Sequence, residues 1–270
     1  MLKARFLTAI VLAPLALVVL FLFPKSWFLL AIDGVLLLGA WEWSRLAGLS
    51  GAKDKAFFIA TVGVALALLH QFEAVLPVTA ILGVALVFWV VAAFWVVRYP
   101  QAAGWSSVGV RVLMGYVVLL PVWVALGELK SQSLSTELIL MLLLLVWAAD
   151  IGAYFAGKSL GKNKLAPSVS PGKTREGLYG GLLSCLIVGG GFAIWFELDS
   201  QSLVYLVLLS VITGIISVLG DLFESMLKRH QGIKDSSQLL PGHGGILDRM
   251  DSLTAAAPLF VLGVQFVTLS

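Results

Sequence analysis

Apolar runs of membrane-crossing length, joined by short charged connectors, leave this chain few folds to choose from. They fall at roughly 7–24, 27–44, 56–71, 75–97, 107–127, 137–157, 178–197, 202–227 and 253–269. A helix needs about 20 apolar residues to cross a bilayer core about 30 Å thick. The expected fold is an all-α polytopic membrane protein of about nine transmembrane helices. It forms a single integral membrane domain over residues 1–270, with functional loops at about 158–177 and 228–252. A helix over residues 202–230 is too long for the bilayer at about 1.5 Å per residue. Its last turns should therefore reach water with Asp221, Glu224, Lys228 and Arg229.

Composition excludes a soluble domain: 60% of the residues are hydrophobic and 12% charged, where soluble domains have about 25% charged. A net charge of +3 does not argue for nucleic acid here, because basic excess in a membrane protein reflects cytoplasmic loops and anionic head groups. Nine spans send alternate loops to opposite sides. Of the 18 Lys and Arg, 16 fall on one side and only Lys25 and Lys130 on the other. That asymmetry puts the N-terminus and both long polar loops in the cytoplasm and the C-terminus outside. The first apolar run resembles a secretory signal, but Ala13 and Ala16 stand three apart and make no cleavage pattern, so a retained span is expected. Cys185 is alone, which excludes an intrachain disulfide.

Against this apolar background, residues 225–251 read SMLKRHQGIKDSSQLLPGHGGILDRMD and hold four of the Lys and Arg, three acids and two of the three His. Basic residues suit phosphates, carboxylates suit a divalent cation, and Pro241, Gly242, Gly244 and Gly245 bend the backbone between them. Asp221 and Glu224 stand one helical turn apart, and Asp248 and Asp251 repeat the spacing, so each pair shares a helix face. The stretch resembles the signature of CDP-diacylglycerol synthases, the phosphatidate cytidylyltransferases. It matches at Ser225, Lys228, Arg229, Lys234, Asp235, His243, Gly244, Gly245, Asp248, Arg249 and Asp251.

The other long loop follows Asp150 as DIGAYFAGKSLGKNKLAPSVSPGKTREG. Its GKT lacks the glycine spacing of a phosphate-binding P-loop. Composition alone allows a solvated basic loop on anionic lipid. The same family is again resembled, at Asp150, Ala153, Tyr154 and Gly157, then Ser170, Pro171, Lys173, Thr174, Glu176 and Gly177, with Arg175 among them. Ionisable groups within apolar runs are costly and normally retained for pairing or function. Asp33 divides evenly between helix–helix bonding and function, while Glu42, in WEW beside Arg45, reads as an interfacial residue. His70 and His230 also read as interfacial. His243 is open between general base, phosphate ligand and turn residue, and no second His or Cys gives it zinc-ligand spacing.

The resemblance implies transfer of a cytidylyl group from CTP to phosphatidic acid in a bacterial inner membrane, with membrane lipid as surroundings. It implies Mg²⁺ on Asp221, Asp248 and Asp251, and a second, monovalent cation such as K⁺ that no spacing specifies. Lys228, Arg249 and His243 join the catalytic set, and both basic side chains are expected to face water and phosphate. Substrate contacts are expected from Asp150, Ser170, Lys173, Thr174, Arg175, Glu176, Ser225, Arg229, Lys234, Asp235, Gly244 and Gly245. A homodimer is left open. A CTP-dependent polyprenol or phytol kinase would share the setting, and a secondary transporter is the non-enzyme alternative, motivated by Asp33 and Asp150.

Overall fold

The computed structural model describes residue 14 and residues 16–267. A helical stretch over residues 16–22 leads into eight helices. These are α1 (Lys25–Leu46), α2 (Ala52–Gln71), α3 (Val78–Arg98), α4 (Val108–Lys130), α5 (Ser135–Leu160), α6 (Arg175–Trp195), α7 (Ser200–His230) and α8 (Leu247–Val264). Much of the first expected span, like Ser270, lies outside the described residues. Among the described residues six helices, α1 and α3 to α7, are long and apolar enough to cross a membrane. Neither α2, which opens on Lys53, Asp54 and Lys55, nor α8, which opens on Asp248, Arg249 and Asp251, is in that set.

Two features depart from the expected string of helices. Between α5 and α6, β1 (Lys164–Ala166) pairs antiparallel with β2 (Ser170–Thr174), with Ala166 opposite Ser170. Both of those residues precede a proline, which disfavours helical backbone and favours extended. The second departure is that α8 starts at Leu247, six residues before the apolar run, so the acidic end of the signature is its first turn.

The exposed face of α3 is apolar. Helix α3 buries Leu82, Ala85, Trp89, Ala92 and Val96 and exposes Val84, Val87, Val90, Phe94 and Val97. A helix that is apolar all round belongs in hydrocarbon. Helix α4 is the centre, two-thirds buried, with α1, α2, α3, α5 and α8 packed around it. With water absent, association of such helices rests on close packing of small residues and on polar ties. Helices α5 and α6 meet at glycines: a Cβ on Gly180 would overlap that of Ala156. Helices α7 and α8 cross where a Cβ on Gly220 would overlap the Asp251 carbonyl, and this brings Asp221 beside Asp251. Asp33 is a helix tie, 2.7 Å from Nε2 of His70 on α2. Arg111 on α4 joins three elements, donating from Nε to the Ala47 carbonyl at 3.0 Å, to the Ser106 carbonyl, and lying 3.1 Å from Nε2 of His230. Neither histidine is a bare interfacial residue.

The packing predicts a contrast within α6. Gly180→Leu should lower stability in detergent by about 1–3 kcal/mol through overpacking, while Gly190→Leu, whose Cβ meets nothing within 4 Å, should leave the melting temperature unchanged or raise it. Equal effects in thermal unfolding would contradict the packing described.

Candidate active site

Helix α7 has 31 residues, about 46 Å at 1.5 Å per residue. That exceeds a bilayer core of about 30 Å, and the signature loop folds back from the C-terminal end of the helix to α8. The loop turns between Leu240 and Gly244, where the Leu240 N–H donates to the Gly244 carbonyl at 2.8 Å. Gly242 and Gly244 hold φ of +79° and +83°, a region costly for any residue with a Cβ. The turn leaves the N–H of Gly245 aimed at Asp248, which accepts it at 2.7 Å. Asp248 also accepts from the N–H and the hydroxyl of Ser236, each at 3.0 Å to Oδ2.

The remaining contact of Asp248 is Lys228, whose Nζ donates to Oδ1 at 2.6 Å and lies 3.2 Å from Oε1 of Glu224. Lys228 is 7% exposed and Glu224 4% exposed, so this is an interior ion cluster between α7 and α8. The expectation that Lys228 faces water is corrected: burial of a cation requires anionic partners at hydrogen-bond distance, and both acids occupy its ammonium group. Arg249 is exposed, as expected, and its guanidinium donates to the His243 carbonyl at 2.7 and 3.0 Å. The Nδ1 atom of His243 is buried without a hydrogen-bond partner.

Asp248 and Asp251, one turn apart, have opposite electrostatics. Burial pushes the Asp248 carboxyl up, but the hydrogen bond from Lys228 and those from Gly245 and Ser236 outweigh it and hold it below the ordinary value. Asp251 is pushed up to about 7 by desolvation and by the neighbouring charge of Asp221.

The other motif-bearing segment arrives through the hairpin. Lys173 on β2 reaches across to α7, its Nζ 2.6 Å from Oδ2 of Asp221, while the Ser225 hydroxyl donates to Oδ1 at 3.2 Å. Asp150, Ala153, Tyr154 and Gly157 lie at i, i+3, i+4 and i+7 on one face of α5. They line a cavity of about 370 Å³ together with Lys173, Thr174 and Gly177. The hairpin thus joins the two motifs into one place, with Asp150 in the cavity and Asp221 at the far end of Lys173.

Other expected substrate residues have local work to do. Thr174 caps α6, accepting the Gly177 N–H at 3.1 Å. Glu176 accepts the N–H groups of Lys162 and Asn163 and, at 2.6 Å, the Asn163 side-chain amide. Arg229 donates to the carbonyl of Val169 in the hairpin turn at 3.3 Å. Ser170 sits in the hairpin ladder. Arg175, Lys234 and Asp235 are exposed.

The sequence reading missed Glu42. It is 0% exposed and fully enclosed by protein. It accepts from the Ser236 hydroxyl at 3.1 Å, the Ser237 hydroxyl at 2.5 Å and the N–H groups of Ile246 and Leu247 at 2.9 and 2.6 Å. A carboxylate in an apolar run was the available signal; its partners, about 200 residues away, were not in the local pattern. Arg45 adds a bond from Nη1 to the Ser236 carbonyl at 2.9 Å.

No three His, Cys, Asp or Glu among the described residues converge closely enough to enclose a metal ion. Mg²⁺ does not need such a cage: one or two carboxylates plus substrate phosphate oxygens satisfy it. Asp221 and Asp251 offer that donor set, and Glu224 Oε2 is buried beside them with no hydrogen-bond partner. The residues present fit a divalent cation.

Span-length apolar helices around a cluster of carboxylates and lysines define an integral membrane protein with a charged site. The cytidylyltransferase family profile matches residues 3–267, and the chain belongs to that family. It is 47% identical over 261 residues to the phosphatidate cytidylyltransferase of Pseudomonas aeruginosa, covering 96% of each chain. It is 41% identical over 289 residues to that of Haemophilus influenzae, covering 99% of this chain and all of the other. To the Bacillus subtilis phosphatidate cytidylyltransferase it is 49% identical over 113 residues, 42% of each chain.

Asp251 gives a pH prediction whose sign is fixed by linkage. Its folded-state pKa is raised to about 7, so the folded protein binds a proton more tightly than the unfolded chain between about pH 4 and 7. Stability in EDTA should fall as pH rises through that window, and Asp251→Asn should flatten the slope. An unchanged pH dependence of the melting temperature in Asp251→Asn would contradict the assignment.

Proposed function

We propose that this protein transfers the cytidylyl group of CTP to phosphatidic acid, giving CDP-diacylglycerol and pyrophosphate. The observation that supports it best is the meeting of both family segments through Lys173 and Asp221, in a chain that matches phosphatidate cytidylyltransferases over nearly its whole length. Those matches do not favour the kinase or transporter alternatives.

An oxygen of the phosphatidate phosphate attacks the α-phosphorus of CTP; that bond forms as the bond to the bridging oxygen of the β-phosphate breaks, and pyrophosphate leaves. The lipid phosphate is already ionised at neutral pH, so the step needs no strong general base. Positioning and charge stabilisation therefore account for most of the catalysis. Asp221 and Asp251 would hold Mg²⁺, which when bound offsets charge on the leaving pyrophosphate. Asp248 stands behind them and keeps Lys228 and the loop in place, with both oxygens already engaged. Lys173, Arg249 and the exposed Arg175 and Lys234 supply phosphate contacts around the cavity, and Asp150 orders Lys173 from the cavity wall.

The reading places the site at the cytoplasmic face of a bacterial inner membrane. It keeps nine spans, with the N-terminus inside and the C-terminus outside; the support is the segregation of 16 of 18 Lys and Arg to one side. One experiment covers chemistry and orientation. Sealed inverted vesicles carrying the protein, given CTP, phosphatidic acid and Mg²⁺, should make CDP-diacylglycerol and pyrophosphate in equal amounts. Right-side-out vesicles should make neither from external CTP. Release of CDP would point to a kinase, and activity of right-side-out vesicles would overturn the orientation.

A further inference from the structure

We infer that Glu42, on α1 and outside both family segments, is a positioning residue for the signature loop, and that it sets the rate of the reaction through Ser236, Ser237 and the N-terminus of α8. The inference rests on the cytidylyl-transfer reading for its kinetic arm only.

A helix start needs acceptors for its first N–H groups, and α8 cannot supply its own: its N-cap is Ile246, with no side-chain oxygen. Glu42 supplies two acceptors from another helix, taking the Ile246 and Leu247 N–H groups, where the helix dipole favours a negative charge. The same carboxylate takes the hydroxyls of Ser236 and Ser237 at the other end of the turn. Its two oxygens thus close residues 236–247 into a ring fixed to α1. Inside that ring stand His243, Gly244 and Gly245, and Gly245 is packed so closely that a Cβ would overlap Ser236 Oγ and lie 2.5 Å from Glu42 Oε1.

The Ser236 hydroxyl lies within 3.1 Å of Glu42 and 3.0 Å of Asp248. One hydroxyl carries one proton and donates to one acceptor at a time, so the two carboxylates share a single donor. A shift of Glu42 therefore reaches Asp248, and through it Lys228, without any contact between Glu42 and substrate.

The test compares Glu42→Gln, Glu42→Asp and Ser237→Ala in detergent, with turnover counted per folded molecule and trypsin cleavage followed at the exposed Lys234. Glu42→Gln keeps the volume but turns an amide toward N–H donors. Its kcat should fall about 10- to 150-fold, the range for one charge-assisted hydrogen bond, and cleavage at Lys234 should quicken by a similar factor while cleavage at Lys53 and Lys55 does not. Glu42→Asp should retain more activity than the Gln variant, and Ser237→Ala, which leaves the α8 contacts intact, should shift both readouts in the same direction by less. If Glu42→Gln does not fold, Ser237→Ala decides alone. Unchanged kcat and unchanged cleavage at Lys234 in a folded variant would overturn the proposal, as would a loss of folded protein with normal turnover in the remainder. If the parent makes no CDP-diacylglycerol, the functional reading fails, and the Lys234 cleavage rate still decides the role of Glu42.

Discussion

The contact between Lys228 and Asp248 is the constraint on which the rest of the site depends. An ammonium group surrounded by helices cannot be left without an anion, since removing one partner of a buried pair costs about 3–5 kcal/mol. Satisfying it fixes the end of α7 against the start of α8. Asp248 then has oxygen lone pairs to spare, and the loop between the helices spends its N–H groups on them. Gly220 lets the helices approach below the ion pair, which sets Asp221 beside Asp251. A loop without regular structure thereby acquires a fixed shape from a few charges.

Charge in such a chain has a second use, which is chemistry. The lipid substrate requires hydrocarbon and the nucleotide requires water, so the reacting groups belong where helices end. The cavity beside Asp150 and Lys173 lies between α5, α6 and the hairpin, while the signature loop follows the end of α7. Lys173 reaches from one to the other and meets Asp221. That contact joins the cavity to the carboxylates where α7 and α8 cross. Asp248 and Asp251 have opposed environments: hydrogen bonds from Lys228, Gly245 and Ser236 hold the first below the ordinary carboxyl range, and desolvation beside Asp221 pushes the second up.

Local pattern made much of this legible. Span-length apolar runs marked the helices, six of which among the described residues are long and apolar enough to cross a membrane, and the two clusters of charge are the segments that Lys173 and Asp221 bring together. The hairpin was not legible as such, because a run of Ser, Pro, Gly and Lys reads as loop until Ala166 and Ser170 are seen to pair. The early start of α8 was hidden because its first turn is polar and its N-cap is an apolar Ile246 served from elsewhere. Lys228 read as a water-facing phosphate ligand because its burial depends on Glu224 and Asp248, one of them 20 residues away. Glu42 read as interfacial for the same reason: its four donors lie 194 to 205 residues along the chain. Periodicity records which face of a helix is apolar, and it does not record which distant group completes a buried charge.

The most direct measurement is a double-mutant cycle on the buried pair. In a Glu224→Gln background, which reduces the cluster to the Lys228–Asp248 pair, Lys228→Met and Asp248→Leu each leave an uncompensated charge in the interior, while adding both leaves none. The account predicts that each single change costs more unfolding free energy than the double, with a coupling above about 1.5 kcal/mol, and that turnover is absent in all three because the loop has lost its anchor. Additive losses, or a double variant less stable than either single one, would contradict it.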